Sequence, residues 1–382
     1  MLATGSLMDI RRENRLRRRL LVCSLSLVWT PSLVRAAGDD TPPQPEPIDT
    51  SSSGQPERPT DRYVVPSLLR SPRQVVEHNG YTSVQVNVDD NGNNISLDAA
   101  NEPSIAVDPT NPNNIVIGWR QFDHVSSNFR QAGYSFSTDA GRTWHRVEVI
   151  QPGFFRSDPV LDVSPDGVFY YMSLQSSFVC DLFRSADGGA SWPDRFFAYG
   201  GDKQWMTVDR TGGPGHGNIY MSWSSNAACC GLRIFTRSLD GGATWMDPIT
   251  IPNRMIFGTL GVGSGGEVYV CGVNPSNFAE YRVAKSSNAW NPNVMPTFDF
   301  SMSVNIGGTM RLSTGPNPAG LLGQPWIAVD TSGGRHHGTV YLCGSADPAD
   351  ADNMDVRITK SVDGGLTWSP TRKLNTDNST LH

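Results

Sequence analysis

The residues best equipped for chemistry in this 382-residue chain fall in a handful of short segments. They are Asn101 and Glu102, then Arg120, Gln121 and Asp123, then Phe155-Arg156-Ser157-Asp158, Asp202-Lys203-Gln204-Trp205, and finally Arg311, Gln324 and Trp326. Hydrogen-bonding side chains beside aromatic planes suit a carbohydrate, which offers hydroxyl edges and apolar faces together. Each residue also has a plainer reading. Asp or Asn ahead of a strand caps a turn, a loop Arg is commonly a solvated charge, and Trp205 or Trp326 at a strand start could fill a central space. Only an element order that brings these segments to one face makes them a site.

A repeat supplies that order. The octet Ser-x-Asp-x-Gly-x-Ser/Thr-Trp occurs at residues 137–144, 185–192, 238–245 and 361–368, at intervals of about 50 residues with one double-length gap. Such periodicity marks a stacked or radial array of supersecondary units. Asp139, Asp187, Asp240 and Asp363 can accept backbone N–H groups and close an Asx-type turn, so their role is structural. Gly141, Gly189, Gly242 and Gly365 supply the positive φ of a tight hairpin. The closing Trp is expected to begin the next strand and to pack between neighbouring sheets.

The rest of each unit reads outward from the octet. Apolar runs ending in Asp or an equivalent lie at 104–108, 160–163, 205–209 and 326–330, as buried inner strands do. Second runs follow at 115–119, 168–172, 219–223, 268–271 and 340–343; a third strand leads into the octet and a fourth leaves from its Trp. Four short strands per unit match the blade of a β-propeller. The unit over 258–296 keeps both inner runs, but its hairpin, 285–290, is two residues short and lacks the Asp. The fold class is therefore all-β, a propeller of four-stranded antiparallel blades with five readable units, either closed at five or an incomplete six-bladed ring. Residues 81–89 alternate Val84, Val86 and Val88 against polar neighbours, a half-buried strand of the kind that completes a last blade. If the octets share one side, inner-strand starts and the loops after second strands share the other, where the candidate residues are. His216, His336 and His337 fall in Gly-rich turns on the octet side, as surface residues.

Gly 38, Pro 27 and 18% charged residues fit a turn-rich sheet protein, and 38% hydrophobic residues suffice for a substantial core. A net charge of −6 without a Lys/Arg stripe argues against a nucleic-acid partner. Arg11, Arg12, Arg15, Arg17, Arg18 and Arg19 precede an apolar run over 20–29, and Val34-Arg35-Ala36 offers a small-residue cleavage site. Residues 1–36 read as a secretory signal peptide, with a twin-arginine variant open, so the mature chain is secreted, periplasmic or cell-surface, with no transmembrane segment. Pro, Ser, Thr and Gln dominate 37–72, the composition of a disordered linker, and 73–382 is the propeller. Removing Cys23 with the signal leaves Cys180, Cys229, Cys230, Cys271 and Cys343; one bridge between Cys180 and the 229–230 pair is conceivable, and Cys271 and Cys343 read as small buried residues. No spacing suggests a metal, and no cofactor is implied.

The octet resembles the Asp-box, or BNR repeat, of the sialidase-like propellers, and the resemblance covers roughly residues 100–375. It implies a carbohydrate or glycoconjugate ligand on the face opposite the octets. An exo-α-sialidase of that kind binds the sugar carboxylate with three arginines and uses a Tyr nucleophile activated by a Glu, with an Asp as acid/base. Carried to this chain, Arg120 and Arg156 would hold the carboxylate, Asp158 or Asp123 would be the acid/base, and Glu102 would polarise the nucleophile. Asp202, Lys203, Gln204, Trp205, Gln324 and Trp326 would bind the rest of the ligand. The Phe/Tyr-Arg-Ile-Pro motif of many catalytic members is absent; Phe155-Arg156-Ser157-Asp158-Pro159 is its nearest string, and no Tyr is assignable as nucleophile. The sequence thus supports an exported glycan-binding propeller, with exo-α-sialidase or related glycoside hydrolase activity as one form and a non-catalytic binding or scaffold propeller as the alternative. A polysaccharide lyase on the same architecture has least support.

Overall fold

The computed structural model describes residues 61, 64, 69–314, 317–348 and 354–376. The expected signal peptide and most of the expected linker lie outside them. The described residues form strands and turns without a helix, and none therefore offers a helix long and apolar enough to cross a membrane.

Five antiparallel four-stranded sheets follow one another along the chain. Blade one comprises Ala99–Val107, Ile115–Phe122, Arg130–Ser137 and Glu148–Ile150; blade two, Ser157–Val163, Phe169–Leu174, Cys180–Ser185 and Asp194–Phe197. Blade three comprises Trp205–Val208, Ile219–Ser222, Arg233–Ser238 and Ile249–Thr250; blade four, Leu260–Val262, Val268–Asn274, Asn277–Ser286 and Phe300–Val304. Trp326–Val329, Val340–Ala346, Asp355–Ser361 and Arg372–Lys373 make blade five. All five inner strands line one axial funnel of about 520 Å³. Large side chains fill the spaces between blades: Tyr171, Tyr220, Tyr281, Phe169, Phe183 and Phe235 are fully buried. Within the funnel, Ile105 of blade one is 57% exposed and Trp326 of blade five 51%.

The octets act as clamps of constant geometry. In each, the Ser hydroxyl donates to the Asp at 2.7–2.8 Å, and the Gly N–H donates to the Ser oxygen at 2.8–2.9 Å. The Thr or Ser four residues beyond the Asp donates its N–H at 2.9 Å and its hydroxyl at 2.5–2.7 Å to that carboxylate. The four glycines have φ between 81° and 96°, the left-handed region that favours glycine. In every blade the first residue of the octet pairs with the first residue of the second strand: Ile115 with Ser137, Phe169 with Ser185, Ile219 with Ser238 and Val340 with Ser361. Blade four keeps the pairing, Val268 with Ser286, and Asn288 takes the place of the Asp. There the clamp closes on the N–H of Thr297, nine residues on, so the hairpin is longer than the two-residue deficit expected from sequence.

Three further expectations are corrected. The octet Trp does not begin the fourth strand, which starts two to four residues later, because the Trp ring turns back over the hairpin: Trp245 and Trp368 donate Nε1–H to the carbonyls of Gly242 and Gly365 at 3.1 Å. Trp192 meets Tyr134 of blade one and Tyr171 of blade two edge-on, each at 5.7 Å, and does pack between sheets. Residues 81–89 complete no blade. Tyr81–Val84 pairs instead with Val75–His78, and blade five takes its four strands from its own unit. Leu69–Pro72, at the end of the segment read as linker, pairs with Asn93–Ser96 as a strand.

A second clamp went unnoticed in the sequence. Asp108, Asp209 and Asp330, just after their inner strands, each accept the N–H and hydroxyl of Thr110, Thr211 or Ser332 two residues on, at 2.6–2.9 Å. His216, His336 and His337 sit in these turns, at the octet end.

The octet carboxyls are held low by the bonds they accept, Asp139 and Asp363 at about 2, first by the hydroxyls of Thr143 and Thr367. A depressed carboxyl contributes stability above its unfolded pKa of about 4 and loses it as the pH falls toward 2. Asp240→Ala should lower Tm by about 2–6 °C without altering ligand binding, by loss of charge-assisted bonds. Gly242→Ala should cost more, because its φ is 87° and a Cβ would collide with Leu182 of blade two. Thermal scans at neutral pH and near pH 3 measure both; equal loss in the two variants would contradict the account.

Candidate functional site

Register fixes which end of each blade faces a ligand. Trp205, at the start of its inner strand, pairs with Ser222, at the end of the second strand, while the octet Ser238 pairs with Ile219 at the other end. Inner-strand starts therefore crowd around the axis opposite the octets. Five residues hold the same position there, six ahead of the residue that follows each inner strand: Glu102, Asp158, Lys203, Phe257 and Gln324. The first four have φ of 51°, 46°, 52° and 58°, left-handed backbone that a non-glycine residue adopts at a cost. Glu102 and Asp158 also precede prolines, which themselves favour extended backbone before them. Such geometry persists only where surrounding contacts hold it.

Those contacts are ionic. Lys203 Nζ lies 2.7 Å from Glu102 Oε1 and 3.4 Å from Asp158 Oδ2. Arg120 lies 2.9 Å from Glu102 and 3.7 Å from Asp158, and its Nε donates to Asn101 at 2.8 Å. Asp158 also accepts the Ser157 hydroxyl at 2.8 Å and the Lys203 N–H at 3.2 Å, and Gln204 donates to the Asp158 carbonyl. Gln324 likewise links blade five to blade four, donating to the Gly258 carbonyl at 3.1 Å. Glu102, Pro103, Asp158, Lys203, Gln204, Trp205 and Gln324 enclose a mouth of about 310 Å³ above the funnel. Trp205 and Trp326 meet edge-to-face at 4.8 Å where mouth and funnel join.

The carboxyls differ in their protons. Burial opposes ionisation of Asp158, but Lys203 and Arg120 overcome it and hold that carboxyl below the ordinary range. Burial, then the Asp158 charge, pushes Glu102 up; the Glu102 side chain keeps 35% of its surface exposed, so water limits the shift. Asp202 is pushed up to about 7, by burial first and the Asp158 charge second, and its Oδ1 has no partner among the described residues. Burial lowers Lys203, yet Asp158, Glu102 and Asp202 outweigh it and raise the ammonium.

The mouth gathers Glu102, Asp158, Lys203, Gln204, Trp205 and Gln324, with Arg120 and Asp202 immediately behind. Three expected rim residues are committed elsewhere. Arg156 is 2% exposed, paired with Asp181 at 2.7 Å and stacked over Phe183 at 5.1 Å, so it cannot reach a ligand carboxylate. Asp123 is buried and accepts the Val64 N–H at 2.9 Å, tying the N-terminal segment to blade one. Arg311 pairs with Asp347. Sequence reading missed Arg130, buried over Phe155 at 5.6 Å and within electrostatic reach of Asp158 and Asp202; Phe257, at the equivalent position of blade four, is buried and does not line the mouth. Among the described residues no three His, Cys, Asp or Glu side chains are arranged to hold a metal ion. The bridge expected at Cys180 is instead between Cys229 and Cys230, and Cys180 is a buried thiol.

No protein-family model matches this chain, and no curated protein matches it. Among solved structures, it is similar to a protein of unknown function from Dyadobacter fermentans, with 15% identity and a TM-score of 0.48 over 82% of this chain and 89% of that one. A Hadza microbial sialidase shares 15% identity at a TM-score of 0.48, over 73% of this chain and 59% of its own. The xyloglucanase of Xanthomonas campestris shares 17% identity at a TM-score of 0.43, over 70% of this chain and 38% of its own.

A carboxyl raised by folding binds its proton more tightly in the native state, so Asp202 favours folding below about pH 4 and loses that contribution as the pH rises through 7. Asp202→Asn, neutral at every pH, should flatten the decline of Tm between pH 5 and 8, gaining about 2–4 °C per kcal/mol relieved. Parallel Tm profiles for wild type and variant would show that Asp202 is not buried beside Asp158.

Proposed function

We propose that the propeller binds a neutral glycan in the axial mouth, in an exported protein. The carrying observation is the join of a charged, hydrogen-bonding rim (Glu102, Lys203, Gln204, Gln324) to the Trp205–Trp326 pair, one ring of which is 51% exposed. Indole planes stack on apolar sugar faces, and a rim of fixed donors and acceptors selects hydroxyl orientation. The Arg-rich N-terminus and the Val34-Arg35-Ala36 site support export.

A neutral rather than a sialic acid ligand follows from the cations. The sialidase-like resemblance implies three guanidinium groups on the sugar carboxylate, whereas Arg120 is occupied by Glu102 and Asp158, and Arg156 by Asp181. No Tyr lines the mouth among the described residues, so a Tyr nucleophile finds no candidate there. Asp158 and Glu102, both held by Lys203, support binding first. Hydrolysis of a neutral glycoside would require the ligand to displace Lys203 from that pair.

Isothermal titration with neutral oligosaccharides, alongside a fluorogenic sialoside assay, tests this reading. The expected result is saturable binding of a neutral glycan, weakened at least about tenfold by Trp326→Ala, unchanged by Asp187→Ala, and no sialoside turnover. Sialoside hydrolysis, or binding indifferent to Trp326→Ala, would overturn it.

A further inference from the structure

We propose that the bond between Cys229 and Cys230 is a latch that positions Lys203 and Asp202, so that the mouth is formed only while that pair is oxidised. The inference rests on the mouth being the working site, and not on which ligand fills it.

The two sulfurs are bonded between adjacent residues, which closes a small covalent ring around one peptide unit. That ring lies in the loop after the second strand of blade three, where residues 223–232 form no regular strand. The loop is laced to the segment that leads into the mouth. Cys229 N–H donates to the Gly200 carbonyl at 3.1 Å, Asp202 N–H donates to the Ala227 carbonyl at 2.6 Å, and Ser224 N–H donates to the Asp202 carbonyl at 3.0 Å. Ala228 bridges Gly201 between them. Gly201 is pressed so closely to this loop that a Cβ would lie 2.7 Å from the Ala227 carbonyl. Lys203 comes directly after, with its left-handed φ of 52°.

Outside this loop, Lys203 is held by Asp158 and Glu102, and Gly200 packs against Cys180. Residues 200–203 belong to no blade strand, and the blade begins only at Trp205. The backbone bonds of 200–202 run to the 224–230 loop, whose own conformation the covalent ring restricts, so that loop sets how Lys203 is presented to Asp158 and Glu102. Both cysteines are buried, 2% and 4% exposed, against Trp223, Ala227 and Ala228, so the latch is protected from casual exchange once formed. Cys180 packs against Gly200 on the other side, but burial pushes its thiol well up and leaves it a poor attacking group. Opening the latch needs an external dithiol: two electrons and two protons pass to the cysteines, giving two thiols, while the dithiol closes to its own disulfide. The ring is then lost, and the loop regains freedom about the 229–230 peptide.

Hydrogen exchange with mass spectrometry on the full protein, purified without reductant, tests the latch without any ligand. The peptide holding Cys229 and Cys230 should be lighter by two hydrogens than the dithiol form and should resist alkylation after unfolding. In the double variant Cys229→Ala/Cys230→Ala, amides of 200–205 should exchange at least about tenfold faster, while the octet hairpin 238–245 of the same blade is unchanged. Free thiols at both positions would overturn the proposal. So would unchanged exchange at 200–205, or faster exchange spread evenly through blade three, which is the mark of a merely structural bond. A failure to bind glycan, with the exchange result as expected, would instead count against the neutral-glycan reading alone.

Discussion

The octet carboxylate that binds four residues ahead of itself is the contact on which the molecule depends. By closing the hairpin between third and fourth strands at a fixed residue, it fixes the register of the whole sheet: the Ser that opens each octet pairs with the first residue of the second strand in every blade that has one. Register has a period of two, so a slip by one residue would turn the apolar faces of a blade outward. Holding register also decides which end of each sheet carries turns and which carries inner-strand starts. The clamp is remote from the mouth and yet determines its composition.

At the mouth the same repetition is used for different chemistry. One backbone position, left-handed in four blades, carries an acid, an acid, a base, a phenyl ring and an amide in succession around the axis. The charged residues come from blades one to three and the uncharged ones from blades four and five. A ligand spanning the axis therefore meets ions on one flank and the Gln324 amide on the other, with Phe257 buried behind. The strain of left-handed Glu102 and Asp158 before proline is held by Lys203 and Arg120, so the ion pairs act as local structure as well as charge. Breaking one buried partner would leave an uncompensated carboxylate, and the cost falls on the shape of the mouth.

The blades were legible because their signals are local. A turn clamp needs Ser, Asp, Gly and Thr at set spacings, and apolar runs ending in Asp mark inner strands, so the five units, the order of strands and the face of the candidate site could all be read along the chain. What could not be read were contacts between distant segments. Arg156 looked like a rim arginine until Asp181, from the next strand but one of its blade, drew it inward. Asp123 looked solvent-facing, but its partner is the N–H of Val64, 59 residues away. The worn hairpin of blade four seemed short because its closing Thr297 stands after an insertion that no octet spacing anticipates. Residues 81–89 alternate as a strand does, and alternation says nothing about which sheet they join.

The most direct test of the account is a crystal structure of the protein with a neutral oligosaccharide diffused in. Sugar rings stacked on Trp326 and hydrogen-bonded to Gln324, Lys203 or Glu102, with the octet face bare, are the predicted result. Sugar bound among the octet hairpins, or along blade edges away from the axis, would contradict it.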